Sequence, residues 1–427
     1  MTMIKRLTSL LMAVVMTATI AFAQNQPAIH DSVSMEAGRT HDVYYSLKTG
    51  TAAQVQRDVW DIAFSTRTMD VTILTNGASG VQLYTYPNSG TQGWDNIDTT
   101  GMYLWPVMYN DDTDWENGAF NRNGTGTEID YGWGVYNTIT HIITGDSLFV
   151  MQLPDGNIKK MWVVKKNPMT NEYTFKYASL DGTGEQEVLI ALNDYNTKNF
   201  IGYSIANNEV VDFQPAADSW DLLFTKYITF YGGVMWYPVT GIKQNYGVQA
   251  AAYAMADTAM IGYNIQDFDS ANITTMGNNW YALQGGMPPT YAVKDSLVYF
   301  VSDRESSIWK LVFEDYQSSQ GIIGFRKQLL ENHAGISSPQ IAASGYMAVQ
   351  PNPASSTSVE IMFDADDNGL ARLQIFTITG AESIDQPVSY TRGLNRHQID
   401  ISQLPAGAYV VTLTAGATTL RNKLIVQ

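Results

Sequence analysis

The residues best placed to do chemistry in this sequence are carboxylates, and they crowd into one stretch, Asp111-Asp112-Thr113-Asp114-Trp115-Glu116-Asn117-Gly118. Hard cations such as Ca2+ prefer carboxylate and carbonyl oxygens, so Asp112, Asp114 and Glu116 are the candidate metal ligands. The spacing departs from an EF-hand loop: counted from Asp112 the glycine comes one place late, and Asn123 stands where the closing Glu belongs. A solvated loop is the alternative reading of the same residues. The chain has no Cys, which excludes a thiolate nucleophile, a thiolate-held zinc or iron–sulfur centre and a disulfide framework. It also lacks His-Glu-x-x-His, Gly-x-Ser-x-Gly and a phosphate-cradling loop, and Asn76-Gly77-Ala78-Ser79-Gly80 reads as a turn. Paired carboxylates of the glycosidase kind could meet only in three dimensions. The expectation is a protein that is not an enzyme.

Stepping from residues to elements, 427 residues with 45% hydrophobic and 15% charged content suit a folded chain of two to four domains. The 25 Tyr, 15 Phe, 10 Trp and 34 Gly favour short strands joined by tight turns, so the expected class is all-β. A formal charge of −16 and the absence of any basic run exclude nucleic acid as a partner. Lys5 and Arg6, the apolar stretch from Leu7 to Phe22, and Ala21-Phe22-Ala23 before Gln24 have the order of a cleavable signal peptide over residues 1–23. No other segment is long and apolar enough to span a bilayer as a helix. The expected location is extracellular or on the outer cell surface.

Three anchors recur in the same order. Tyr45-Ser46-Leu47 matches Tyr203-Ser204-Ile205, Trp60-Asp61-Ile62-Ala63-Phe64 matches Trp220-Asp221-Leu222-Leu223-Phe224, and Asp146-Ser147-Leu148 matches Asp295-Ser296-Leu297. The intervals, 15 and 86 residues in the first copy and 17 and 75 in the second, are close enough to imply an internal repeat. Two homologous antiparallel β lobes are expected, over 24–186 and 187–331. Each ends in a meander, in which Pro154-Asp155-Gly156 and Ser302 to Glu305 provide turns. Trp60, Phe64, Trp220 and Phe224 are expected to be packing anchors.

Residues 332–346 are small and polar and read as a linker. Short strands then follow over 347–427 at the spacing of a small immunoglobulin-like β-sandwich. Pro351-Asn352-Pro353-Ala354, Leu373-Gln374-Ile375-Phe376, Leu404-Pro405-Ala406-Gly407-Ala408-Tyr409 and the terminal Lys423-Leu424-Ile425-Val426 resemble the type A sorting domain of the type IX secretion system. That family belongs to Bacteroidota. The resemblance implies passage across the outer membrane with the type IX secretion machinery as partner.

The Trp60 motif followed by Asn76 to Gly80, together with Pro288-Pro289-Thr290-Tyr291 before Asp295, is similar to segments of the HmuY-like haem-binding family, here as two tandem copies. Members hold haem iron between two axial side chains, a His pair in some and a Met pair in others, and some pass haem to an outer-membrane receptor. The resemblance implies ligands between the tryptophan motif and the final meander: Met102, Met108 and His141 in the first lobe, and Met287 in the second. A Met on an apolar strand is more often gap-filling core, and His141 also reads as a structural or exposed strand residue.

Two functions from different classes follow. One is a secreted or surface-displayed, non-enzymatic binding protein for haem or a related apolar ligand. The other is a structural or adhesive surface protein that presents aromatic loops, such as those from Tyr103 to Trp133, to a protein or glycan.

Overall fold

The computed structural model describes residues 27–127, 129–255, 257–259, 262–285, 290–332, 347–355, 357–365, 368–378, 380–415 and 418–427. The expected signal peptide, nearly all of the expected linker and Met287 lie outside the described residues.

Strand side chains alternate between faces, so a strand with apolar residues at every position must have a core on both sides. The two tryptophan-motif strands, Ile62–Ser65 and Leu222–Tyr231, have this character. Ile62 and Phe64 enter one core while Ala63 enters another. Leu222 and Phe224 likewise face one way and Leu223 the other. The result is four stacked antiparallel sheets. The two inner ones run Glu209–Val211, Phe200–Ser204, Ile62–Ser65, Ile73–Thr75 and Met235–Gln244, Leu222–Tyr231, His41–Ser46, Gly50–Gln56. They meet across a shared layer containing Tyr44, Leu74, Trp115, Phe213, Trp220 and Leu223. The outer sheets carry the two expected meanders, 149–179 and 297–331, and each closes one lobe core.

The chain does not divide between the lobes at residue 186. Tyr45 pairs with Leu222 and Val43 with Phe224, whereas Tyr203 pairs with Ile62 and Ile201 with Phe64. Each Tyr-Ser strand is thus built into the sheet of the other copy's tryptophan motif. The first lobe core is drawn from 62–205, and the second joins Val33 to Leu47 with Leu222 to Phe325. The partition differs from the linear 24–186 and 187–331 because a repeat identifies equivalent strands and does not say which of them pair.

Residues 347–427 form the expected sandwich, with one sheet of three strands and one of four. Its opening motif closes on its last strand: the Asn352 amide donates to the Lys423 carbonyl at 2.6 Å and accepts from the Ile425 N–H at 2.9 Å. Tyr409 donates to the Pro405 carbonyl at 2.8 Å. These bonds account for the Pro-Asn-Pro-Ala and Leu-Pro-Ala-Gly-x-Tyr patterns. Among the described residues no helix is long and apolar enough to cross a membrane.

Candidate functional site

The layer between the two inner sheets is not completely filled. A cavity of about 90 Å3 opens there, walled by Trp60, Leu74, Trp115, Phe213, Leu223 and Tyr227. Trp60 stacks on Phe213 with centroids 4.9 Å apart, and its indole N–H is buried without a hydrogen-bond partner. Trp115 is anchored by its indole N–H, which donates to the Gln244 carbonyl at 2.8 Å.

The polar groups of the cleft fall into two kinds. Most are committed to protein. The Asp42 carboxylate accepts from Arg57 Nε and from the Thr225 hydroxyl, both at 2.7 Å, and Arg57 also caps the His41 carbonyl at 2.8 Å. Burial pushes the Asp42 carboxyl up, against the pull of Arg57. Asn110 accepts from Thr75 N–H and Ala119 N–H and so pins the acidic loop to the sheet edge. Lys243 is of the other kind. It is 7% exposed, lies over the rings of Trp115 at 4.9 Å and Tyr227 at 5.1 Å, and its Nζ makes no hydrogen bond or salt bridge among the described residues. Burial brings its pKa down to about 8, opposed by the fields of Asp112, Asp111, Asp114 and Asp42.

Strand register locates Lys243 in the repeat. Leu223 pairs with Lys243 as Ala63 pairs with Leu74, and Phe224 with Ile242 as Phe64 with Ile73. The matching residue in the first copy is therefore Leu74, which lines the same cleft. A buried ammonium stands in one copy where the other manages with a hydrocarbon.

The residues singled out from sequence lie elsewhere. Met102 opens the short turn 102–104 and is half-buried, Met108 bridges to Leu83 against the first lobe core, and His141 lies in a turn with its Nδ1 2.5 Å from the Tyr136 hydroxyl. None of the three lines the cleft. Phe64, Trp220 and Phe224 are buried anchors, as expected, whereas Trp60 is half-buried at the cleft wall.

The carboxylates of the acidic loop do not converge on a cation site. Asp111 pairs with Arg122 at 2.8 Å, Glu116 pairs with Arg67 at 3.2 Å, and Asp114 accepts its own loop's Glu116 N–H at 2.8 Å. Among the described residues no three His, Asp or Glu side chains could hold a metal together. Of the aromatic stretch 103–133, Tyr103 is exposed, but Trp115 and Trp133 are buried. The exposed aromatic surface is instead Phe230, Tyr231, Trp236 and Tyr237 on the hairpin 222–244, which sequence reasoning passed over.

Residues 348–427 match the family described as secretion system C-terminal sorting domain. The chain is accordingly a secreted or cell-surface protein. No curated protein sequence matches it. Among solved structures it is similar to a HmuY-like heme binding protein from Bacteroides vulgatus, with 15% identity over 39% of this chain and 95% of that one and a TM-score of 0.17. It is also similar to dimeric latent PorU from Porphyromonas gingivalis, with 10% identity over 67% of this chain and 32% of that one and a TM-score of 0.18.

Proposed function

We propose that this is an exported, non-enzymatic binding protein whose ligand occupies the cleft between the two inner sheets. Lys243 carries the reading. Lys243 turns its ammonium into the cleft between two aromatic rings with no protein acceptor among the described residues, where loss of hydration is costly, and Leu74 fills the matching position of the other copy without a charge. A ligand acceptor group would satisfy the three ammonium donors.

Commitment of two of the cleft's carboxylates supports binding over catalysis. Asp42 is held by Arg57 and Thr225, and Asp111 by Arg122, so neither is free to exchange a proton with a substrate. The cleft offers haem little. No Met or His lines it, and about 90 Å3 falls well short of the ~300 Å3 at which pockets begin to bury a drug-sized molecule. A compact group or the end of a longer chain suits it better.

The test is native mass spectrometry of the full protein recovered from culture medium, beside Lys243→Leu, which copies the residue at the matching position. The expected result is a bound mass on the wild-type chain that the variant lacks. Bare chains in both, or the same adduct in both, would overturn the cleft assignment. Haemin added to the wild type is expected to give no saturable Soret shift. The adhesive alternative is favoured by one observation, the exposed aromatic hairpin, and an adhesin without a ligand would carry no adduct.

A further inference from the structure

The hairpin 222–244 connects the cleft to the aromatic surface. Its inner part supplies Leu223, Thr225, Tyr227, Ile228 and Lys243 to the cleft. Its outer part projects Phe230, Tyr231, Trp236 and Tyr237, which are 39–55% exposed, beyond the sheet. Gly232 and Gly233, both at positive φ, turn the chain between the two strands. Trp236 packs against Tyr109, centroids 4.7 Å apart, and Tyr109 itself lines the cleft. Phe230 adds a second ring at 5.3 Å from Trp236. The aromatic track is therefore continuous from the cavity to the hairpin tip.

No residue from 227 to 242 is charged, in a chain of net charge −16. Among the residues that line the cleft the charges balance, with Asp42, Asp111 and Asp114 against Arg57, Lys226 and Lys243. The lining carries no net charge with which to select an anion or a cation. It has ring faces, a free ammonium donor in Lys243 and a carboxylate acceptor in Asp114. Sugars match that combination, since their C–H faces are apolar and slightly positive toward an aromatic face while their hydroxyl edges need both donors and acceptors.

We propose that the ligand is an uncharged oligosaccharide, with the edge of its terminal ring in the cleft beside Lys243 and Asp114 and the following rings laid over Tyr109, Trp236 and Phe230. This rests on the cleft reading above and adds the class of ligand and the path it takes. A cavity of about 90 Å3 is smaller than the ~150 Å3 that holds one benzene ring, so it admits only the edge of a terminal sugar and leaves the remainder of the chain outside. The hairpin is where that remainder emerges. A membrane surface is the less suitable occupant, because the projecting part of the hairpin, residues 227–242, has no Lys or Arg with which to hold anionic headgroups.

The experiment is calorimetric titration of the full mature chain with cellohexaose, xylohexaose and mannohexaose. Oligogalacturonate and vesicles of mixed phosphatidylcholine and phosphatidylglycerol serve as the charged and lipid arms. The expected result is saturable binding of at least one neutral hexasaccharide, weakened about tenfold or more by Trp236→Ala, the loss of one well-placed ring contact. Lys243→Leu is expected to weaken it at least as far, and oligogalacturonate and vesicles are expected to stay unbound. No neutral binding, neutral binding indifferent to Trp236→Ala, or preference for oligogalacturonate or vesicles would overturn the proposal. If the mass-spectrometric adduct still depends on Lys243 in such a case, the glycan assignment alone falls; if the adduct is missing as well, the cleft reading falls with it.

Discussion

The Asp221 carboxylate accepts the Leu47 backbone N–H at 2.8 Å, although 174 residues of chain separate them. The other copy repeats the bond, with Asp61 accepting from Ile205 N–H at 2.7 Å. Backbone bonds accompany both, Asp221 N–H to the Tyr45 carbonyl and Asp61 N–H to the Tyr203 carbonyl. The Trp-Asp motif is thus a latch that holds the exchanged Tyr-Ser strand of the opposite copy.

Asp221 should make stability pH-dependent in a known direction. Burial raises its pKa from 3.8 to about 6, with Asp303 adding to the effect. A raised carboxyl favours the protonated native state. Its contribution is full below the unfolded pKa and is lost as pH rises through 6. At pH 7 the cost of the buried charge is up to about 3 kcal/mol. Asp221→Asn keeps an acceptor for Leu47 and sheds the charge, so its urea midpoint relative to wild type should climb between pH 4 and pH 7. Asp221→Ala should instead lose about 1–3 kcal/mol at low pH, where the charge is already absent and only the orphaned N–H counts.

The exchanged strands predict which fragments fold. A chain of residues 187–331 lacks the strands Ile29–Ser34, His41–Ser46 and Gly50–Gln56, leaving Leu222 and Phe224 without Tyr45 and Val43 across the sheet. It should be unfolded by circular dichroism and cut rapidly by protease. A fragment of residues 57–215 retains the whole first lobe core and should give a cooperative thermal transition. Cooperative folding of 187–331 alone would contradict the strand exchange.

Much of this architecture is legible in the sequence, and its limits are instructive. The sorting sandwich, the all-β class, the two meanders and the packing role of Phe64, Trp220 and Phe224 follow from local alternation and motif. The exchange does not, because Tyr45 pairing with Leu222 is a non-local choice between two similar partners. The cleft is illegible for a related reason. Asp42, Trp60, Leu74, Tyr109, Trp115 and Lys243 come from separate strands and loops and share no spacing. The acidic loop looked like a cation site because sequence displays its carboxylates and hides Arg67 and Arg122, which neutralise two of them.

A pair of asparagines illustrates the same limit and gives a third prediction. Asn76 donates to the Arg57 and Trp60 carbonyls, and Asn245 to the Ala217 and Trp220 carbonyls, each bracing the turn before its motif. They are equivalent in space, yet Asn76 follows Asp61 by 15 residues and Asn245 follows Asp221 by 24, since the long aromatic hairpin intervenes only in the second copy. Asn245 is 1% exposed and also accepts from Asn199 at 2.7 Å. Asn245→Ala should cost roughly 2–4 kcal/mol by leaving several buried groups unpaired. Asn245→Asp should cost more, because it turns a carboxylate toward two carbonyls. Denaturant unfolding of the two variants measures both, and an Asp variant as stable as the Ala variant would contradict this account.

Lys243 separates function from stability. Its pKa of about 8 lies below the ordinary lysine value, chiefly through burial, so folding disfavours the charged form. The charged form costs stability below pH 8, and the penalty fades as pH rises from 8 toward 10.5. Lys243→Leu removes that penalty and places in the second copy the side chain that the first already packs. At pH 7 the variant should unfold at a higher temperature than wild type, with a gain of up to about 3 kcal/mol. The gap should narrow by pH 9.5, and calorimetric melts at the two pH values measure it. A saturating ligand should close the gap at pH 7 from the other side, by raising the wild-type melting temperature and leaving the variant unchanged. A variant that is more stable and binds nothing identifies a lysine retained for its ligand. A variant that is less stable at pH 7 would mean that Lys243 serves the fold.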